Sequence, residues 1–362
     1  MGPMVRAIAL AVVCLLAMPP ATGAQRLTGV QHARAGWEAL NAGKPQQAAA
    51  AFEEALKEEP REPALLLGAG LAAHLLGQSD SARRYLVDAL KYDAAFTPAS
   101  LLLGEVLYRA DDLTGAIQIY DQALIHAPGH RQLEAKLDAW RKEAALHDRF
   151  ARTLTDHFTV LFEGPTEAAL AARAVEILEA AYWRVGSALY TYPTEVLTVV
   201  LYTRDQFHDV TRAPNWAGGA YDGRIRVPVL GALENPRAFE RVLAHEFTHA
   251  LVKSLAARGV PQWLNEGLAM YFEGTDLAPQ VERARNAEAR HTLTALEGTF
   301  AGMNGAAATL AYAQSAAAVK LLIDEAGPPA IVGILNDIAR GLPFAEAFER
   351  NTNMSYAEFQ KR

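Results

Sequence analysis

One interval recurs through the first third of this chain, and it constrains the fold more than any single motif. Gly36, Gly70 and Gly104 stand 34 residues apart, as do Ala48, Ala82 and Ala116. The same interval relates Phe52, Leu86 and Tyr120, then Ala55, Ala89 and Ala123, then Leu56, Leu90 and Leu124. Pro60 and Pro128 occupy equivalent places, with Ala94 between them. Such a period marks one supersecondary unit copied along the chain, burying its apolar face by stacking on its neighbours. In each unit a first helical segment carries the glycine and a second carries Ala-x3-large-x2-Ala-Leu. Small residues let the two helices approach, and the large residue fills the gap behind them.

These columns resemble the tetratricopeptide repeat. The resemblance implies three helix pairs over residues 29–130, and the charged amphipathic segment 131–148 is expected to cap the open end. Stacked helix pairs form a concave face, so a protein or peptide partner is expected on the repeats; the alternative is that they only space or orient the rest. Two nucleotide-site look-alikes fall away. Gly68-x-Gly70-x-x-Ala73 has no strand before it, and Gly43-Lys44 lacks the spacing of a phosphate loop.

The N-terminus carries Arg6, an apolar run over residues 7–18, Pro19-Pro20 and small residues 21–24. This pattern predicts a secretory signal peptide over residues 1–24, cleaved after Gly23 or Ala24. The run is short for a bilayer span, and no other stretch is expected to be long enough to cross a membrane. The mature chain is expected to be periplasmic or secreted. Cys14, the only cysteine, would leave with the signal. A single cysteine excludes a disulfide framework and a thiolate zinc site, so any metal here needs His and carboxylate ligands. A net charge of −7 over 362 residues argues against a nucleic-acid partner.

After the repeats and cap, assigned to residues 25–150, the pattern becomes mixed over 151–362. Residues 157–163 alternate like a strand stopped by Gly164-Pro165, and Thr166 is expected to cap a helix running to Leu189, with Glu167 in its first turn. Residues 196–202 form a β-branched run suited to a buried strand. A loop rich in Pro, Asn and Gly follows, then a strand over 223–229 whose Pro228 places it at a sheet edge. Beyond Pro236 the pattern is helical. Strands first and helices second predict an α+β domain.

The chemistry lies in His245-Glu246-Phe247-Thr248-His249, within the helical stretch 237–257. A spacing of four puts both imidazoles on one helix face, within reach of one ion. Glu246 lies beside the first ligand, placed to take a proton from a metal-bound water. A third ligand is found in Glu266, seventeen residues after His249, where Gly259-Val260-Pro261 lets a second helix pack back across the first. Two histidines and one carboxylate leave the fourth zinc position open, as a catalytic site requires. Two surface histidines on an amphipathic helix are the alternative.

HEFTH followed by WLNEGLA resembles the gluzincin metallopeptidases, and within them the peptidase-MA-like domains found beside tetratricopeptide repeats. The likeness covers about residues 155–345. It implies a thermolysin-like fold, one Zn2+ on His245, His249 and Glu266, and Glu246 as general base for hydrolysis of a peptide or protein substrate. It also implies an oxyanion-stabilising residue from a later helix, for which Tyr312, expected to begin a helix, is the candidate; a core tyrosine is the alternative, and His291 and His208 are weaker candidates. Related enzymes pair substrate with an upstream strand, and residues 219–223 lead into one here. The chain departs from the pattern in three ways. The loop between His249 and Glu266 is shorter, and the Asp that orients a zinc histidine from four residues past the glutamate is replaced by Met270, leaving Glu273 as its substitute or as a solvated helix-end residue. The aminopeptidase Gly-x-Met-Glu-Asn motif is missing, although Asp222 could imitate its Glu, so endo- and exopeptidase both stay open. The rival readings are a repeat-based scaffold or assembly factor with a non-catalytic, peptide-binding domain, and hydrolysis of a non-peptide amide.

Overall fold

A computed structural model of the chain describes residues 24–164, 167–211, 218–229, 235–300 and 302–362. The expected signal lies outside these residues except for Ala24, and so does the expected Thr166 cap. The chain divides into two compact units, one ending at Ala145 and one spanning Leu146–Arg362.

The first unit stacks three helix pairs: α1 (Ala24–Asn41) with α2 (Pro45–Glu58), α3 (Pro63–Leu75) with α4 (Ser79–Tyr92), and α5 (Thr97–Arg109) with α6 (Leu113–His126). Proline at the first or second position starts α2, α3 and α5, where its missing N–H has no helical partner to lose. The repeating columns meet in space. A Cβ added at Gly36 would lie 2.8 Å from the Phe52 ring, and one at Gly70 2.9 Å from Leu86. Gly104 abuts Tyr120 in the same way. Gly68 presses on the same Phe52 ring, which accounts for the glycine pair that mimicked a nucleotide fingerprint. Helix α7 (Arg131–His147) closes this unit through Trp140, which stacks on Tyr108 at 5.1 Å and leans on Tyr120 at 4.5 Å.

The second unit begins with a five-stranded sheet ordered β1-β2-β3-β5-β4. Strands β2 (Phe158–Glu163), β3 (Leu197–Tyr202) and β5 (Ile225–Pro228) run parallel, while β1 (Phe150–Leu154) and β4 (Ala220–Tyr221) pair antiparallel at the edges. Strand β1 escaped the sequence reading because only Phe150 of its five residues is buried. Part of the expected loop after β3 is helix α9 (Arg204–Thr211), whose single buried residue, Phe207, gives no periodic signal. The placement of β5 at an edge is corrected: β4 flanks it. Pro228 is tolerated because Val229 N–H donates to Tyr202 C=O, so the pleat turns the proline nitrogen to the other side, beyond the end of β4.

Phe158, Val160, Val199, Leu201, Ile225 and Val227 point from one sheet face into the main core. There α8 (Ala168–Leu189) packs on β2 and on α10 (Pro236–Leu255). Helix α10 in turn packs on α11 (Gln262–Phe272), and α11 on α13 (Gly305–Ala339). Helices α12 (Ala278–Asn286), α14 (Phe344–Thr352) and α15 (Tyr356–Phe359) complete the unit. Helix α13 is long and apolar enough, by length and composition, to cross a membrane, which corrects the expectation that no later stretch is. It is interrupted at Gly327 (φ 75°), just before Pro328-Pro329, and buries Ala311, Val319, Leu322, Ile331 and Ile334 in the core.

Candidate metal centre

Helix α10 starts at an Asn235 cap, whose side chain accepts from the Ala238 N–H, with Pro236 behind it. Phe239, Leu243, Phe247 and Leu251 recur every four residues and bury one face. His245 and His249 therefore share another face, their rings 4.8 Å apart. Helix α11 is anchored by Trp263, fully buried with its indole N–H donating to Tyr356 at 3.0 Å. That anchoring turns Glu266 toward the histidines.

One Glu266 oxygen, Oε2, lies 3.4 Å from His245 Nε2 and 3.5 Å from His249 Nε2. Ligand atoms held tetrahedrally at zinc-like bond lengths lie about 3.3 to 3.4 Å apart. The two Glu266–imidazole separations match that spacing, and the three donors, all within 4.8 Å of one another, form the one group of His, Cys, Asp or Glu among the described residues that could hold an ion. Neither His208 nor His291 belongs to it. The backbone N–H and C=O of His291 are instead clamped by the Gln314 side chain.

Each donor is also held from behind. His245 Nδ1 lies 3.0 Å from Glu273 Oε2, so Glu273 occupies the orienting place that Met270 cannot fill. His249 Nδ1 lies 3.0 Å from Asn265 Oδ1, and Gln262 donates to Glu266 Oε1 at 2.7 Å. Asn265 and Gln262 were missed in the sequence; the available signal was their position beside Glu266 and one helical turn before it.

Charge around these atoms favours a cation. Burial resists protonation of His245, but hydrogen bonds it donates to Glu266 and Glu273 and the charge of Glu246 outweigh it, so its pKa is raised. His249 is raised against the same resistance, chiefly by Glu266. Burial alone would raise Glu266; the two imidazoles hold it below the usual carboxylate range instead. Burial raises Glu246, with the histidines only partly offsetting it. A proton and a metal ion compete for the same imidazole lone pairs, and three carboxylates around two imidazoles attract either.

Glu246 is buried and meets the sheet edge at Gly219, where a Cβ would lie 2.6 Å from Glu246 Oε1. Only a residue without a side chain lets the chain entering β4 pass so close. Tyr312 sits two turns into α13 rather than at its start, because the helix begins at Gly305 under an Asn304 cap. Its ring meets Phe300 edge-on at 5.4 Å. Burial raises its hydroxyl, and the charges of Glu266 and Glu246 raise it further. Gly267 sets the approach of its helix, since a Cβ there would collide with the Ser315 carbonyl. Asp222 is engaged elsewhere: the fully buried Arg226 donates to it at 3.1 and 3.2 Å and to the Tyr202 hydroxyl at 2.7 Å.

Residues 189–359 match the family model for the Peptidase MA superfamily, and residues 34–90 and 76–131 match a tetratricopeptide repeat model. Among solved structures, the first tetratricopeptide domain of Spaghetti (RPAP3), bound to the HSP90 peptide SRMEEVD, matches at 18% identity and a TM-score of 0.32. That match covers 33% of this chain and 97% of that one. No curated protein matches the chain. Tetratricopeptide repeats over residues 34–131 are thus followed by a Peptidase MA superfamily domain over residues 189–359.

Proposed function

We propose that this protein is an exported zinc metallopeptidase of the gluzincin type, with its repeats as a docking platform for a protein partner or substrate. The observation that carries the reading is the convergence of His245, His249 and Glu266 on one point, with Glu246 buried beside them. Zinc held by those three residues would supply Lewis acidity, polarising a scissile carbonyl and lowering the pKa of an attacking water. Glu246 takes the water proton on its carboxylate and returns it to the departing amine nitrogen. Burial, which strengthens its hold on a proton, suits that shuttle. Tyr312 stays protonated because its hydroxyl pKa is raised, so it can donate a hydrogen bond to the developing oxyanion. The β4 edge, passing Glu246 at Gly219, offers backbone pairing to an extended peptide.

The test is Glu246→Gln in the full chain, with zinc content and digestion of a mixed peptide library both measured. The expected outcome is retained zinc with hydrolysis reduced by about 10² to 10⁴. Undiminished hydrolysis would sink the general-base role. Zinc uptake without cleavage by the wild type would favour the scaffold reading.

A further inference from the structure

The three metal-facing donors each have a partner behind them, and two of those partners are of an expected kind. A zinc-binding histidine ordinarily gives its other ring nitrogen to a carboxylate or carbonyl oxygen, as His245 does with Glu273 and His249 with Asn265. The third partner is different. A carboxylate can bind a cation through one oxygen or both, and nothing in Glu266 itself decides which. The structure separates its two oxygens: Oε2 faces both imidazoles, and Oε1 accepts the Gln262 side-chain amide at 2.7 Å. Gln262 is itself held in place. It sits one helical turn before Glu266, and its backbone N–H donates to the Glu297 carbonyl at 3.0 Å.

We propose that Gln262 is a positioning residue that makes Glu266 a one-oxygen ligand and so keeps a coordination position open for water and substrate. With its amide on Oε1, only Oε2 is presented to the ion. Without that amide, the carboxylate is free to turn both oxygens inward and fill the position that catalysis needs. The proposal rests on the metal-centre reading above.

The experiment uses the full chain, stripped with a chelator and reloaded with Co2+ or Zn2+ alone. Wild type, Gln262→Met and Gln262→Glu are compared by Co2+ absorption, whose intensity reports coordination number, and by Zn2+ competition against a chromogenic chelator. Gln262→Met keeps the side-chain length but removes the donor; it is expected to weaken Zn2+ binding by about 10- to 100-fold and to shift the Co2+ spectrum toward higher coordination. Gln262→Glu, which sets a second carboxylate against Oε1, is expected to weaken binding further. Zinc-edge X-ray absorption of the wild type needs no variant to fold: one-oxygen carboxylate ligation supports the proposal, and two-oxygen ligation overturns it. A wild-type chain that binds neither ion overturns the metal-centre reading together with this one. Metal binding by wild type with an identical affinity and Co2+ spectrum in Gln262→Met overturns this proposal alone.

Discussion

The two units bury different things. Among the described residues, the first unit buries three polar side chains, Ser100, Glu105 and Glu143, within a core of alanine, leucine and aromatic residues. Two of these are tied to the cap or its neighbour, Glu105 to Lys136 and Glu143 to the Tyr108 hydroxyl. The second unit buries eight: Arg224, Arg226, Glu246, Thr248, Glu266, Gln314, Ser315 and Asp337. Polar burial without full compensation lowers stability, so a fold governed by packing alone would avoid it. The difference predicts that substitutions in the first unit are read in stability and those at the second unit's candidate metal centre, around Glu246 and Glu266, in chemistry.

The largest expected effect tests the first half of that statement. Phe52 fills the gap between Gly36 and Gly68 and meets Trp37 edge-on at 5.1 Å. Phe52→Ala is expected to destabilise the repeat unit by about 3–5 kcal/mol, seen as an early transition in calorimetry, with metal content unchanged. Loss of metal together with the early transition would break the comparison.

Tyr312→Phe tests the other half. Removing one oxyanion donor costs about 10² to 10³ in turnover, or roughly 2.7–4 kcal/mol of barrier. Its half-buried ring and its packing on Phe300 survive the change. Turnover is expected to fall by that factor while melting temperature and zinc content hold. Unchanged turnover would make Tyr312 a core residue and nothing more.

Much of this contrast was legible in the sequence, for reasons that differ between the units. The repeats announce themselves because each packing contact recurs at a fixed offset, so Gly36 with Phe52 and Gly104 with Tyr120 are the same event twice. His245 and His249 were legible because helix geometry ties a spacing of four to a shared face, and Glu266 because the Gly259-Val260-Pro261 break lets a second helix turn back across the first. What sequence spacing does not encode is proximity across elements. Gly219 lies far from Glu246 along the chain, and only the folded sheet edge brings them together. Strand β1 and helix α9 were missed because each buries a single side chain, too little to set a period. Pro228 lacks a ladder donor, but the edge position it implied is taken by β4, a two-residue strand too short to foresee.

Gly219 gives the next prediction in size. A methyl group there meets Glu246 Oε1, so Gly219→Ala must move either the carboxylate or the edge strand. A displacement of about 1 Å at a catalytic group can cost 10²-fold in rate. Activity is expected to fall by about that factor with zinc retained. The matched change in the repeats, Gly104→Ala, puts a methyl group against Tyr120 and is expected to cost about 1–3 kcal/mol of stability through overpacking. Similar intrusions would then have opposite readouts, measured by melting in one unit and by kinetics in the other.

The smallest expected effect is the most diagnostic, because its sign reverses between the units. Burial holds the Glu246 pKa above its ordinary 4.5 in the folded, metal-free protein. A carboxyl group whose folded pKa exceeds its unfolded pKa penalises folding once both states are ionised, and the penalty vanishes when both are protonated. Glu246→Gln removes the charge at every pH. The metal-free variant is therefore expected to melt at a higher temperature than metal-free wild type at neutral pH, and the gap should close as pH falls through the folded pKa toward 4.5. No such gain is open to a buried repeat residue such as Phe52, whose replacement only removes packing. If this substitution abolishes turnover and raises stability, Glu246 is kept ionisable at the expense of the fold. A lower melting temperature at neutral pH would mean that the carboxylate is held by favourable contacts, and the two units would then be built on the same terms.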